Sequence, residues 1–401
     1  MDDAPSSAAI DAGTVIPERI RLLVFHENAT ATGMGRVALG FATAARDKEP
    51  DLPAVDVTFV MYRRNNQQTG LAASALAAGI PVIEIPERGR WDLKVMREIG
   101  RMVREFKPDI LETHNIKSHF LVRANGLHRE FPWIAWNHGY TSKDRLDRAY
   151  KQIDRWSLHG AFRLMTMCQP FATAMQELGV PKEKISILHN FVEPCARPPE
   201  EEVRRLREQL GLGKDLAIVT IGRMSLEKGH ANLLNAIALM KGMADLPPHR
   251  FVVVGDGPEE QRLRQQAASL GIGDRIIWTG FQKNVAPYYA MAAIYALPSV
   301  SEGSPNVILE AMAAGLPIAA TRAGGVPEIL QDSVNGLLVS TQNPQALADA
   351  LRRLLLSEEL RARLASAAQK QAESAHTLHA YKRALTKFYV ETLQMRESQT
   401  R

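Results

Sequence analysis

Cysteine is scarce. Cys168 and Cys195, the two in 401 residues, stand neither in a CxxC nor at metal-ligand spacing, so a disulfide framework is excluded and a reducing, cytoplasmic setting is expected. Long apolar runs are missing too. The stretch 284–301 has no charged residue, but Pro287 and Pro298 break it, and it falls short of the roughly 20 apolar residues of a membrane span. It reads instead as a helix followed by a buried strand. The first 17 residues place acidic side chains early and no basic region ahead of an apolar run, so they do not read as a signal peptide; 1–18 is expected to be a loose tail. Neither sign of charge dominates: 49 Lys and Arg against 44 Asp and Glu leave +5. That bias admits an anionic ligand or membrane surface and argues against a dedicated nucleic-acid binder.

The chain is rich in alternation. From about residue 19, short β-branched apolar runs alternate with longer stretches of helical period. The first half predicts strands at 22–26, 55–61, 81–85, 109–114, 133–137, 163–167 and 185–188, with helices at 35–46, 93–106 and 170–178 among the intervening segments. The runs are continuously apolar, as in strands covered on both faces. At 194–215, Pro194, Pro198 and Pro199 precede a charged segment, which predicts a linker. The alternation then restarts, with strands at 216–221, 251–254, 275–278, 294–297, 317–320 and 336–339, and helices at 230–240, 258–269, 305–314 and 344–356. Tyr381, Leu385, Phe388 and Thr392 recur at helical spacing, so that helix must bury one face. The expected fold is α/β: two tandem doubly wound Rossmann-like parallel-sheet domains, 19–193 and 216–375, facing a cleft. A helical tail, 376–401, is expected to dock across them and return to the first. Ligands of such sheets bind beyond the carboxyl ends of the strands.

Chemistry-bearing residues gather after two strands of the second domain. Gly222-Arg223-Met224-Ser225-Leu226-Glu227-Lys228-Gly229 sets two permanent cations in a glycine-flanked loop. Arg offers phosphate oxygens a planar fork, and Lys a mobile point charge. An exposed charge pair without a role has the same appearance. The strand at 294–297 leads into Ser299 through Pro305, where Ser304 followed by Pro305 predicts an N-cap and a first helical position. The amides of Asn306 and Val307 would then be unpaired at the positive end of a helix dipole, which suits an anion. Glu302 precedes this helix and Glu310 lies in its second turn; each can accept from the hydroxyls of a diol. A diphosphate flanked by polyols is a nucleotide sugar.

Glu302-x7-Glu310, Arg223 with Lys228, and Gly324-Gly325-Val326-Pro327-Glu328-Ile329 together resemble the donor-site signatures of glycosyltransferase family 4, retaining GT-B enzymes that use nucleotide sugars. Gly33-Met34-Gly35-Arg36 resembles the family's glycine-rich loop, His138 its cleft histidine, and the segment 178–190 its domain-closing strand. The likeness runs from about residue 21 to about residue 387. It implies that Arg223 and Lys228, flanked by Gly222, hold the donor diphosphate and that Gly35 lets backbone approach the β-phosphate. Glu310 would bind ribose hydroxyls and Glu302 those of the transferred sugar. Ser304 and the amides of Asn306 and Val307 would complete the donor site, with His138 near the reacting sugar in a positioning or electrostatic role. It further implies hexosyl transfer from a UDP-sugar to a glycan or lipid-linked acceptor, in polysaccharide, lipopolysaccharide or lipid-linked glycan assembly. No cofactor and no metal are expected. The Asp-x-Asp that holds a metal in many glycosyltransferases of the other common fold does not occur; the nearest pair, Asp144 with Asp147, reads as an exposed helix. Arg223, Lys228 and a helix N-terminus can supply that charge. The chain departs from the family pattern at Ser304-Pro305, where many members have Phe-Gly.

Two other functions compete. Gly33-x-Gly35-x-x-Ala38 fits a dinucleotide loop, with Arg63-Arg64 available to a 2′-phosphate, so a nicotinamide-dependent oxidoreductase is one alternative. That reading leaves Arg223, Lys228, Glu302 and Glu310 without a purpose. A non-catalytic nucleotide-sugar-binding protein is the other. Lys94, Arg97, Arg101 and Arg104, with Arg88 and Arg90 before them, form a basic stripe suited to anionic lipid heads at the inner face of the membrane. Interleaved Glu98 and Glu105 equally fit a solvated helix face. His114 is expected to be a hydrogen-bonded structural histidine.

Overall fold

A computed structural model describes residues 17–26, 33–63, 69–87, 89, 92–139, 145–193 and 197–400. Residues 1–16, 27–32, 64–68 and 140–144, with Arg88, Arg90 and Cys195, lie outside the described residues.

Every predicted strand is present. The first sheet contains β1 (Arg19–Phe25), β2 (Ala54–Arg63), β3 (Val82–Pro86), β4 (Ile110–Thr113), β5 (Trp133–Asn137), β6 (Arg163–Thr166) and β7 (Ile185–Ile187), in the order β3-β2-β1-β4-β5-β6-β7. The second contains β8 (Leu216–Ile221), β9 (His249–Val254), β10 (Ile276–Gly280), β11 (Ile294–Leu297), β12 (Ile318–Thr321) and β13 (Leu337–Val339), in the order β10-β9-β8-β11-β12-β13. The registered pairs are parallel, with Leu22 facing both Val57 and Ile110, and Ile218 facing Phe251 and Ile294. Both are Rossmann-like sheets whose strand order reverses once, between β1 and β4 and between β8 and β11. Ligands of doubly wound sheets bind beyond the carboxyl ends at such a reversal.

Continuous apolar runs have a direct cause here. Ala217, Val219 and Ile221 of β8 enter one buried cluster with Val252 and Val254, while Ile218 enters a second with Phe251 and Val253. Both faces of the second sheet are therefore core, and neither parity of its strands can be polar.

The chain divides into two compact units, one of Met1–Trp136, Tyr150–Leu164 and Lys382–Arg401, the other of Asn137–Ala149 and Met165–Tyr381. The supposed linker at 194–215 needs correcting. It contains the helix Glu200–Gln209, which packs on the helix Ala286–Met291 of the second unit. Three glutamates in its first turn complement the helix dipole, and Val203, Leu206 and Leu210 lie against the core, so the charged composition marks a surface helix. The sequence reading also passed over the helix Glu358–Ala375, whose buried face is only Leu364, Ala368 and Ala372. An alanine stripe carries little periodic signal.

The last helix, Leu378–Thr400, buries Tyr381, Leu385, Phe388 and Thr392, as their spacing predicted. In the first unit its Tyr389 hydroxyl donates to Glu112 Oε2 at 2.5 Å, and Arg383 pairs with Glu49 and Asp51. Glu112 Oε1 in turn meets His114 Nε2 at 2.8 Å. His114 stacks on Trp136 at 5.4 Å and lies 4.9 Å from the ring of His26, whose pKa burial pushes down to about 3. His114 is thus fixed from both sides. On the predicted basic stripe, Arg104 binds Glu130 and Arg101 lies 3.8 Å from Glu105, while Lys94 and Arg97 are exposed. Among the described residues, no helix is long and apolar enough to cross a membrane.

Candidate active site

Gly222, Arg223, Lys228, Glu302, Ser304, Asn306, Val307 and Glu310, with His138, belong to the second unit; Gly35 belongs to the first, in the opening turn of the helix Met34–Ala44. The start of the loop after β8 is tied to the loop after β9 by backbone hydrogen bonds. Gly222 N–H donates to Val254 O, and Met224 N–H to Asp256 O at 2.6 Å. A Cβ on Gly255 would stand 2.1 Å from Gly222 O, and one on Gly257 would stand 2.5 Å from Met224 O, so only glycine lets the two loops touch. Arg223 rides on this cradle with its side chain exposed and no ion-pair partner among the described residues.

The next turn delivers Lys228. Gly229 has φ +65°, and a Cβ there would lie 2.1 Å from Pro298 O. Glu227 O accepts from the amides of Val300 and Ser301. These contacts bring the loop after β8 against the loop after β11. Lys228 Nζ then sits 2.8 and 3.0 Å from the two carboxylate oxygens of buried Glu302, and Ser299 Oγ donates to Glu302 Oε1 at 2.6 Å. From the other side, Gly324 at φ +52° presses on the Glu302 carbonyl, which a Cβ would approach to 1.7 Å, and Gly325 N–H donates to that carbonyl. The diglycine of the resemblance thus fixes the backbone of Glu302. Glu328 farther along accepts from Gln169 N–H at 2.8 Å, and burial raises its pKa.

The helix start differs from expectation. The helix is Asn306–Ala313 and Pro305 occupies the N-cap, with no side-chain cap. The helix starts one residue later than expected, and the Ser304 hydroxyl instead accepts from Asn190 N–H at 2.9 Å. The first intrahelical bond is donated by Ile308 to Pro305 O, so the amides of Asn306 and Val307 precede the helical ladder. Asn190 also donates its side-chain amide to Ser304 O and to Asn306 Oδ1, at 2.9 and 2.8 Å. In the second turn, Glu310 Oε2 accepts from the hydroxyl of buried Tyr289 at 2.8 Å.

His138 follows β5, beside Gly139 at φ +82°. A Cβ on Gly139 would strike Phe171 Cζ at 2.4 Å, and one on Gly303 would meet Phe171 Cε2 at 3.0 Å. One phenyl ring therefore touches the neighbours of both His138 and Glu302. Sequence reasoning missed Tyr289, Ser299, Phe171 and the contacts of Asn190. Ser299 and Asn190 stand in segments already singled out for function, Tyr289 and Phe171 in none, and only proximity in space reveals the contacts.

Residues 202–371 match the model for glycosyl transferases group 1, and residues 32–190 match the glycosyl transferase 4-like domain. The 2-deoxystreptamine glucosyltransferase of Streptomyces kanamyceticus is 32% identical over 209 residues, 51% of this chain and 54% of that protein. The N-acetyl-alpha-D-glucosaminyl L-malate synthase of Bacillus anthracis is 30% identical over 215 residues, 53% of this chain and 55% of that protein. The chain thus spans about half the length of these relatives. The crystal structure of Anabaena Alr3699/HepE in complex with UDP-glucose superposes with a TM-score of 0.78 at 21% identity, covering 94% of this chain and 100% of that one.

His230, at the start of the helix after Gly229, is buried and neither ring nitrogen has a hydrogen-bond partner among the described residues. Burial and then the Lys228 charge lower its pKa from 6.5 to about 4. Below pH 6.5 the unfolded chain therefore binds a proton that the folded chain refuses, so stability must fall as pH drops from 6.5 toward 4 and level off above 6.5. The slope from His230 should be about 1.4 kcal/mol per pH unit at most. Urea titrations at pH 7, 6 and 5, followed through Trp278 in the second unit, should show it, and His230→Gln should flatten it.

Proposed function

Because the chain belongs to the glycosyltransferases that pair a 4-like domain with a group 1 domain, we propose that it transfers a hexosyl group from a UDP-sugar to a hydroxyl acceptor with retention at the anomeric carbon. The observation that carries this reading is the convergence of Lys228, Glu302 and the uncapped amides of Asn306 and Val307 on one pair of loops, at the strand-order reversal of the second sheet. UDP is favoured as the carrier because the structural neighbour HepE was crystallised with UDP-glucose.

In this reading, Arg223, Lys228 and the two amides hold the pyrophosphate. Glu302 holds hydroxyls of the transferred sugar, Glu310 those of the ribose, and His138 lines the sugar pocket. The bond from the anomeric carbon to the β-phosphate oxygen breaks as the acceptor oxygen bonds to the same face. The acceptor proton passes to the departing phosphate. Negative charge grows on that phosphate, and the cations and amides gathered on it once the donor is bound stabilise it. The protein thereby supplies the charge a metal would otherwise bring, and transfer should persist undiminished in EDTA; loss on chelation, with recovery on adding a divalent ion, would refute this. The acceptor is a glycan or lipid-linked glycan in polysaccharide or lipopolysaccharide assembly at the inner membrane face, where Lys94 and Arg97 can meet anionic lipid.

Lys228 is not idle before the donor arrives. Its charge is spent on Glu302, so a diphosphate must draw it away, and that exchange frees the carboxylate for sugar hydroxyls. Phosphate and sugar binding are thereby linked. Glu302→Gln should bind UDP about tenfold more tightly, since Lys228 loses its ionic partner, while turnover falls about 100-fold. Unchanged or weaker UDP binding would refute the exchange.

A thermal-shift screen over nucleotide sugars tests the main reading. A true donor at a hundredfold excess over its dissociation constant should add about 2.7 kcal/mol of stability, and Arg223→Ala should lose most of that shift. Arg223 is exposed and its side chain makes no hydrogen bond or ion pair among the described residues, so its removal should leave the fold intact. A panel without any shift would overturn the proposal.

A further inference from the structure

Tyr289 has no part in the transfer described above, yet its hydroxyl ends on a residue that does. It lies in the short helix Ala286–Met291 and is buried, its ring in the apolar cluster that also holds Tyr295, Ile308 and Leu309. The two tyrosine rings stand 5.7 Å apart, and the Tyr295 hydroxyl donates to Ile221 O at the end of β8. Phe would serve such a position for packing alone. A buried phenol needs a partner that offsets the desolvation of its hydroxyl. Here that partner is Glu310: the Tyr289 hydroxyl lies 2.8 Å from Oε2, with Val307 O farther away at 3.3 Å. The single proton goes to the carboxylate, which is both the nearer and the charged acceptor.

The consequence is orientation. Glu310 is half-buried in the second turn of the helix Asn306–Ala313, and a glutamate must give up rotamer freedom before it can meet a ligand in one geometry. Tyr289 removes part of that freedom beforehand, because its ring is packed in the core and its hydroxyl is a fixed point. A carboxylate accepts at about four lone-pair sites, so a bond from Tyr289 orients the group without exhausting it. We infer that Tyr289 is a positioning residue for the ribose of the donor: its hydroxyl aims the Glu310 carboxylate at the ribose hydroxyls and so sharpens the preference for ribonucleotide over deoxyribonucleotide carriers. This rests on the role proposed above for Glu310 and adds to it a residue that touches no substrate.

Packing and orientation separate in a ratio of two affinities. UDP and 2′,3′-dideoxy-UDP share base and diphosphate and differ only in the ribose hydroxyls. Lost packing weakens both alike and leaves their ratio unchanged, whereas lost orientation weakens UDP alone. Calorimetric titrations of both ligands on wild type, Tyr289→Phe and Tyr288→Phe read that ratio. We expect wild type to prefer UDP about tenfold or more, and Tyr289→Phe to cut that preference about three- to fivefold with dideoxy-UDP affinity nearly unchanged. Tyr289→Phe keeps the ring, and its retained dideoxy-UDP affinity reports that the variant is folded with its phosphate site intact. Tyr288, the neighbouring buried tyrosine of the same helix, bonds its hydroxyl to Thr279 instead, so Tyr288→Phe should leave the preference at the wild-type value. An unchanged or larger preference in Tyr289→Phe overturns the inference, as does an equal fall in Tyr288→Phe; the glycosyltransferase reading then stands. A wild type that binds the two ligands equally overturns this inference together with the ribose role of Glu310. One that binds no nucleotide diphosphate overturns the donor reading as a whole.

Discussion

The ion pair between Lys228 and Glu302 is the constraint on which the second unit's ligand face depends. A buried carboxylate is costly without compensation, and Glu302 receives it from the Lys228 ammonium and the Ser299 hydroxyl. Such a pair is weak evidence of stabilisation, because desolvation consumes much of the Coulomb gain. Its value is registry. The cation comes from the loop after β8 and the anion from the loop after β11, the two strands between which the sheet order reverses. The pair therefore forms only when both loops are in place.

Glycines make that registry attainable. Gly229 against Pro298, Gly255 against Gly222, Gly257 against Met224, and Gly324 with Gly325 against Glu302 and Gly303 are close backbone approaches that a Cβ would forbid. Each joins loops from different strands. The result is a shell of main chain packed on main chain, with the polar side chains Arg223, Lys228 and Glu302 projecting from it. Backbone held in this way has little freedom to relax, which preorganised electrostatics requires. It also explains why the resemblance rests so heavily on glycine: the motif records where chains touch as much as what they bind.

Legibility in the sequence followed from how local each cause is. The strands could be read because burial on both faces makes continuous apolar runs, a signal confined to a few residues. Lys228 and Glu302 could be read because their loops carry type and spacing, although nothing in the sequence says that they contact one another. The helix Glu200–Gln209 was taken for a linker because its apolar face is only Val203, Leu206 and Leu210 amid charge. Ser304 was misjudged as a cap for a different reason. The helix starts one residue later than the local rule places it, and the hydroxyl instead accepts from Asn190, 114 positions away. Tyr289 under Glu310 and Phe171 between Gly139 and Gly303 are equally non-local, so no inspection of neighbours in sequence would find them.

The misjudged cap bears on chemistry. A side-chain cap steadies a helix start but takes up one of the donors that it could offer an anion. A helix start meant to bind phosphate must remain uncapped while held still, and those demands conflict: the side chains that would order the turn are the ones that would fill it. Here Pro305 fixes one dihedral without contributing an acceptor, and the ordering hydrogen bonds come from Asn190, outside the helix. The departure from Phe-Gly to Ser304-Pro305 then becomes intelligible. Ser304 supplies the hydroxyl and carbonyl that Asn190 grips, and Pro305 supplies stiffness, so the turn is ordered from behind while its amides stay free to act as donors.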